Sequence, residues 1–196
     1  LNAHSTVYER SYLLNGYYGN EASFSIGTDA VSSSSAKYDG SSNSCPYAKK
    51  SDNKGTVYAV VGSSGQLGGA QAGYPHDAMY YSNNSIGGAM VITAAGNRLD
   101  AEWVCADGVV RDQFTLMKDV NKKELHTIYL GDLLPLSASW KGSYNWTDGS
   151  ITNTIEVSPP NSEVIDSIYV TDAYGCINDS FIITKALPFK ETTTVA

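Results

Sequence analysis

Basic residues and cysteines are scarce in this 196-residue chain, and long apolar runs are missing. Lys and Arg number 13 against 20 Asp and Glu, for a formal net charge of −7. That balance argues against nucleic acid or an anionic membrane surface as the main partner. No apolar stretch approaches the roughly 20 residues a membrane helix needs, so no membrane span is expected. No window sustains an apolar stripe at helical spacing, so helix has little support. The cysteines, Cys45, Cys105 and Cys176, are odd in number. None forms a Cys-x-x-Cys pair, which disfavours a zinc ribbon. The first residues show neither an initiator Met nor the charged and apolar regions of a signal peptide.

What is present favours a mainly β protein. There are 14 Tyr and 18 Gly, and Ser and Thr fill the spaces between apolar runs. Residues 27–54, with Ser32-Ser33-Ser34-Ser35, read as a long surface loop. Gly55 to Gly62 is a short apolar strand between glycines. Ala89 to Ala95 is a further strand, ended by the turn signal Gly96-Asn97. Leu99, Ala101, Trp103 and Cys105 then alternate with Arg98, Asp100 and Glu102, the pattern of a half-buried strand. Asp107-Gly108 marks a hairpin turn. Beyond it Val110, Asp112, Phe114 and Leu116 share one face. Burial of Asp112 on that face demands a partner, and Arg10 is the candidate. The expected core of this region is Val60, Val91, Leu99, Trp103, Phe114 and Leu116.

The character changes near residue 126. Residues 126–187 are strongly acidic and hold short strands at regular spacing: Leu133 to Ser139, Ser143 to Trp146, Ile151 to Val157, Ile165 to Thr171 and Phe181 to Lys185. Asp148-Gly149, Pro159-Pro160 and Tyr174-Gly175 punctuate them, a spacing that suits a small β-sandwich. The expected division is therefore residues 1–125, residues 126–187, and a linker or tail over 188–196.

The segment Ala3-His4-Ser5-Thr6-Val7-Tyr8-Glu9-Arg10-Ser11 carries a resemblance. It is similar to the last metal-binding block of the calcineurin-like metallophosphoesterases, in the branch related to purple acid phosphatases. There Gly-His-x-His runs into Tyr-Glu-Arg-Ser. His4 matches the first imidazole, and Thr6 departs from the second. The match continues through Gly55-Thr56-Val57-Tyr58, Val60 and Gly62-Ser63-Ser64-Gly65. It then takes in Pro75-His76 with Met79, Gly96-Asn97-Arg98-Leu99-Asp100-Ala101, and Asp112-Gln113-Phe114-Thr115. Tyr144-Asn145-Trp146, Tyr169-x-Thr171-Asp172 and Gly175-Cys176 resemble the immunoglobulin-like modules of secreted bacterial surface proteins, with Trp146 as the core tryptophan.

The resemblance implies a mainly β fold: the C-terminal sheet segment of a metallophosphoesterase core followed by an immunoglobulin-like β-sandwich. It implies a secreted or cell-surface parent enzyme that hydrolyses phosphate esters by metal-bound hydroxide. The metals would be Fe, Zn or Mn, with His4 as one ligand. A Thr hydroxyl is a poor replacement for imidazole, and the family's other ligands are absent. The fragment is thus expected to be inactive in isolation and to hold metal poorly. His76, on a Gly-rich loop, is the substrate-side candidate, set against the plainer reading of a loop His capped by its neighbours. Glu9 and Arg10 read as a structural ion pair. In a secreted protein a Cys45–Cys105 bridge would leave Cys176 free. The alternative from a different class is a non-catalytic extracellular binding or adhesion protein built from β modules. The partner of the second module, the substrate and the metal are not legible.

Overall fold

Strands dominate the computed structural model, which describes residues 1–50, 52, 54–69, 72–160 and 166–186. The expected tail over 188–196 and the strand start at Ile165 lie outside the described residues. Among the described residues only a 3₁₀ turn at Glu21–Ser23 and a single α turn, Ile26–Asp29, are helical. Among the described residues no helix is long and apolar enough to cross a membrane. The chain divides into two units, Leu1–Asp119 and Val120–Ala196.

Among the described residues the first unit holds nine strands: β1 (Tyr8–Ser11), β2 (Leu13–Leu14), β3 (Ala30–Ser32), β4 (Tyr47–Lys49), β5 (Ala59–Val61), β6 (Met79–Asn83), β7 (Gly88–Ala95), β8 (Arg98–Cys105) and β9 (Val110–Lys118). The expected meander is β7-β8-β9, antiparallel throughout, and β4 adds to β9 in parallel. Both turn signals act as read, since Gly96 and Gly108 take positive φ of 62° and 79°, a conformation glycine adopts without strain. The Gly55–Gly62 run joins a different sheet. Its strand β5 flanks β1, and β6 flanks the other side.

The alternation on β8 holds: Ala101, Trp103 and Cys105 are buried and Glu102 is exposed. Phe114 is also buried, and Leu99 and Leu116 pack against its cluster. Val91 departs from the expected core and is 50% exposed. It lies on β7 at the edge of its sheet and points away from the face on which its neighbour Met90 packs against the core.

The expected surface loop over 27–54 is also corrected. Ser34, Ser35, Ala36, Ser44 and Tyr47 are buried. Small side chains let this segment lie close to β9, and its polar groups are satisfied within the fold. The Ser34 hydroxyl donates to the Asn43 and Cys45 carbonyls, Tyr47 Oη donates to the Ser34 carbonyl at 3.0 Å, and the Thr115 N–H donates to the Ala36 carbonyl. A serine-rich stretch is tolerated inside when its hydroxyls find backbone acceptors.

Asp112 is 1% exposed and its partner is Arg10, itself fully buried. Arg10 Nε and Nη2 donate to its two oxygens at 2.6 and 2.8 Å, and Tyr8 Oη donates at 2.9 Å. Burial opposes the charge on Arg10, but the hydrogen bond and charge of Asp112 outweigh it and raise its affinity for the proton. The guanidinium also lies 4.5 Å from the Tyr80 ring centre. Tyr8 stacks on Trp103 with centroids 4.2 Å apart, a contact worth about 0.5–1.5 kcal/mol beyond its buried area. The expected Glu9–Arg10 pair does not form. Adjacent residues of a strand point to opposite faces, so Arg10 enters the core and Glu9 turns away from it.

The second unit holds β10 (Lys123–Ile128), β11 (Leu134–Ser137), β12 (Asn145–Trp146), β13 (Thr154–Val157), β14 (Asp166–Thr171) and β15 (Asn178–Lys185). They form a four-stranded sheet, β10-β15-β14-β12, and a β11-β13 pair. The division falls after Asp119 rather than after 125, because β10 pairs in parallel with β15. Trp146 is buried and stacks on Phe181 at 5.8 Å. The expected Cys45–Cys105 bridge is wrong. Cys105 is a free thiol, buried at the end of β8 against Tyr8 and Trp103, while Cys45 and Cys176 are disulfide-bonded.

Candidate functional site

His4 opens a bend, not a strand. Residues 4–7 bend and β1 begins only at Tyr8. The bend is held at close range: Gly62 N–H donates to the Val7 carbonyl at 3.1 Å. A Cβ on Gly62 would lie 1.7 Å from the Ser5 carbonyl oxygen, so the position admits only glycine at this separation. The Gly68 N–H donates to the Thr6 carbonyl at 3.0 Å. The glycine-rich stretch after β5 therefore cradles the His4 segment by backbone approach.

The loop before β6 brings His76 to the same place. A pocket of about 340 Å³ is lined by His4, Thr6, Glu9, Gly69, Tyr74 and His76, among others. Two histidines from separate parts of the chain thus line one pocket with Glu9 of β1. His4 itself is exposed. The His76 ring is half-buried and engaged: its Nδ1 accepts the Ala78 N–H at 3.0 Å, and Nε2 lies 3.4 Å from the Gly19 carbonyl. Nδ1 as acceptor places the proton of the neutral ring on Nε2. Tyr17 meets this ring edge-on at 6.0 Å. The capping neighbours expected of a plain loop His are present, and the ring still borders the pocket.

Glu9 is the residue that sequence reasoning missed. It stands on the middle strand of its sheet, opposite Val60 on β5 and Ser82 on β6. Burial raises its pKa above the usual value, while the charge of His76 pulls the other way. Tyr74 is raised in turn, first by burial and then by the Glu9 charge, so its phenol stays a hydrogen-bond donor. Tyr74 Oη and Ser82 Oγ are buried and lack hydrogen-bond partners among the described residues. Strand alternation was the available signal: with Tyr8 and Arg10 in the core, Glu9 must face elsewhere.

No protein-family model matches this chain, and no curated protein matches it.

The residues of the pocket do not complete a metal centre. Among the described residues no group of three or more His, Cys, Asp or Glu is placed to hold an ion. His76 has both ring nitrogens turned to backbone groups, and Thr6 offers a neutral hydroxyl. His4 alone has the chemistry of a good transition-metal ligand. What these side chains can do unaided is bind a polar molecule: His4 suits an anionic group, and Glu9 and Tyr74 offer an acceptor and a donor.

Proposed function

We propose that the first unit is the C-terminal part of the catalytic core of a secreted metal-dependent phosphoesterase, and that the second is an immunoglobulin-like accessory module. The observation that carries this reading is the meeting of His4 and His76 in one pocket, beside Thr6 and Glu9. The two histidines belong to separate blocks of the resemblance, and a shared site is the reason a phosphoesterase would need both. The two-sheet arrangement of the second unit, with Trp146 buried, supports its part of the reading. The disulfide-bonded Cys45 and Cys176 favour an oxidising, extracellular setting.

In this reading His4 supplies one metal ligand and the remaining ligands come from sequence beyond these 196 residues. Since the donor set here does not close a metal site, no step of hydrolysis is assigned to this chain. His76 contributes a ring to the pocket wall beside the substrate.

The test is binding and turnover by the 196-residue chain. Inorganic phosphate is expected to shift the ring signals of both His4 and His76 in NMR titration. Turnover of an aryl phosphate with added zinc, iron or manganese is expected to be negligible. Turnover that His4→Ala abolishes would show that the chain holds a complete site. Phosphate that moves neither ring overturns the phosphoesterase reading in favour of a non-catalytic extracellular binding protein.

A further inference from the structure

The floor of the pocket is built against a phosphoryl group. Glu9 occupies the middle strand of the β5-β1-β6 sheet, only partly open to solvent. No described residue donates a hydrogen bond to its carboxylate. Directly opposite residues of an antiparallel pair share a face with Cβ atoms about 5 Å apart, so Ser82 stands beside Glu9. Its hydroxyl, like that of Tyr74, has no hydrogen-bond partner among the described residues. Polar groups held in a fold without partners cost stability. Glu9 and Tyr74 line the pocket, and Ser82 stands next to Glu9 on β6.

Charge and size then decide what fits. An ionised Glu9 repels a phosphate dianion in a half-buried site. His4 and Thr6, on the bend that leads into β1, line the same pocket and bring no carboxylate to it. A volume of about 340 Å³ falls in the range of small-molecule sites, roughly 300–1,000 Å³, with room for more than a phosphoryl group. A lone carboxylate acceptor is satisfied by a neutral hydroxyl donor.

Resting on the phosphoesterase reading, the geometry points to Glu9 as the residue that receives the alcohol portion of the ester, and to an alcohol that carries a free hydroxyl, as in a sugar or polyol phosphate. The phosphoryl group lies toward His4, and the hydroxyl donates to the Glu9 carboxylate. Glu9 is a specificity residue in this scheme and takes no part in bond cleavage.

The experiment uses the whole chain at neutral pH, with amide and side-chain shifts read during titration by inorganic phosphate, methyl phosphate, ribose 5-phosphate and free ribose. Ribose 5-phosphate is expected to bind about tenfold more tightly than methyl phosphate, the effect of one hydrogen bond to a charged acceptor. Glu9→Gln, which keeps a neutral acceptor, should cut that preference to about threefold. Glu9→Met should abolish it while methyl phosphate binds no more weakly. Undisturbed signals of Arg10 and Asp112 certify the fold of each variant. Equal affinity for the two esters in the unaltered protein overturns the inference. So does a preference that survives Glu9→Met, or an equal loss for both esters. The underlying reading is judged separately by inorganic phosphate at His4 and His76. If phosphate fails there while ribose still shifts Glu9, the hydroxyl site stands and the phosphoesterase does not.

Discussion

Removing the Asp112 carboxylate should be the most damaging single change in the first unit. Asp112→Ala leaves Arg10, fully buried, as a charge with no counter-ion. It also takes the acceptor from Arg10 Nε, Arg10 Nη2 and Tyr8 Oη together. Breaking a buried ion pair from one side costs about 3–5 kcal/mol, and no solvent reaches the guanidinium to repair it. Replacing both partners with apolar groups of similar volume, as in Arg10→Met with Asp112→Leu, should recover most of that loss. Because the chain has two units, a single unfolding midpoint would mix them. Native-state hydrogen exchange at the Ala101, Trp103 and Phe114 amides reports on the first unit alone. Opening there should become roughly a hundred- to several-thousand-fold more frequent in Asp112→Ala, since each 1.36 kcal/mol is tenfold. Tyr8→Phe, which removes one hydrogen bond to the carboxylate, should cost about 1.5–3 kcal/mol. A loss below about 1 kcal/mol for Asp112→Ala, or a double variant as unstable as the single one, would refute the view that the pair is held by mutual burial.

Three further outcomes are expected. Glu9 binds its proton more tightly folded than unfolded, so the folded state holds more protons between the ordinary value near 4.5 and the raised one. Stability from this group is thus present below that window and falls as pH rises through it. Glu9→Gln should remove the step and stabilise the protein slightly at pH 7, by a few tenths of a kcal/mol after solvent screening, read as a thermal shift absent at pH 4. Gly62→Ala should force the Ser5 carbonyl aside and displace His4. NMR would show loss of phosphate-induced shifts at His4 with the β8–β9 signals retained, and unchanged shifts would contradict the cradle. Thr6→His places a second imidazole on the wall of the same pocket, and should raise the affinity of the chain for zinc by about tenfold or more. Calorimetric titration that finds no gain would show that the bend keeps residue 6 from acting with His4.

Local pattern alone settled much of this protein. The alternation of Leu99, Ala101, Trp103 and Cys105 specified β8 and its buried face, because side chains of a strand repeat every two residues. Gly96-Asn97 and Asp107-Gly108 specified the turns, because few residues take positive φ cheaply. The need of a buried Asp112 for a cation led to Arg10, since an unpaired buried carboxylate is too costly to retain. His4 and His76 stood out by residue type and motif.

Other features depend on contacts that no local pattern encodes. Ser34, Ala36 and Tyr47 look like loop by composition, yet they are buried because distant carbonyls and β9 receive them. Lys123–Ile128 became part of the second unit through its parallel pairing with Asn178–Lys185, a choice made by a partner far along the chain. Cys105 reads as a bridging cysteine, yet its strand turns it into the core beside Tyr8 and Trp103. The pocket itself exists only because the backbone of Gly62 closes on the His4 bend and the loop before β6 carries Tyr74 and His76 over Glu9. Residue type supplied the chemistry, and tertiary packing alone decided which of these groups share a site.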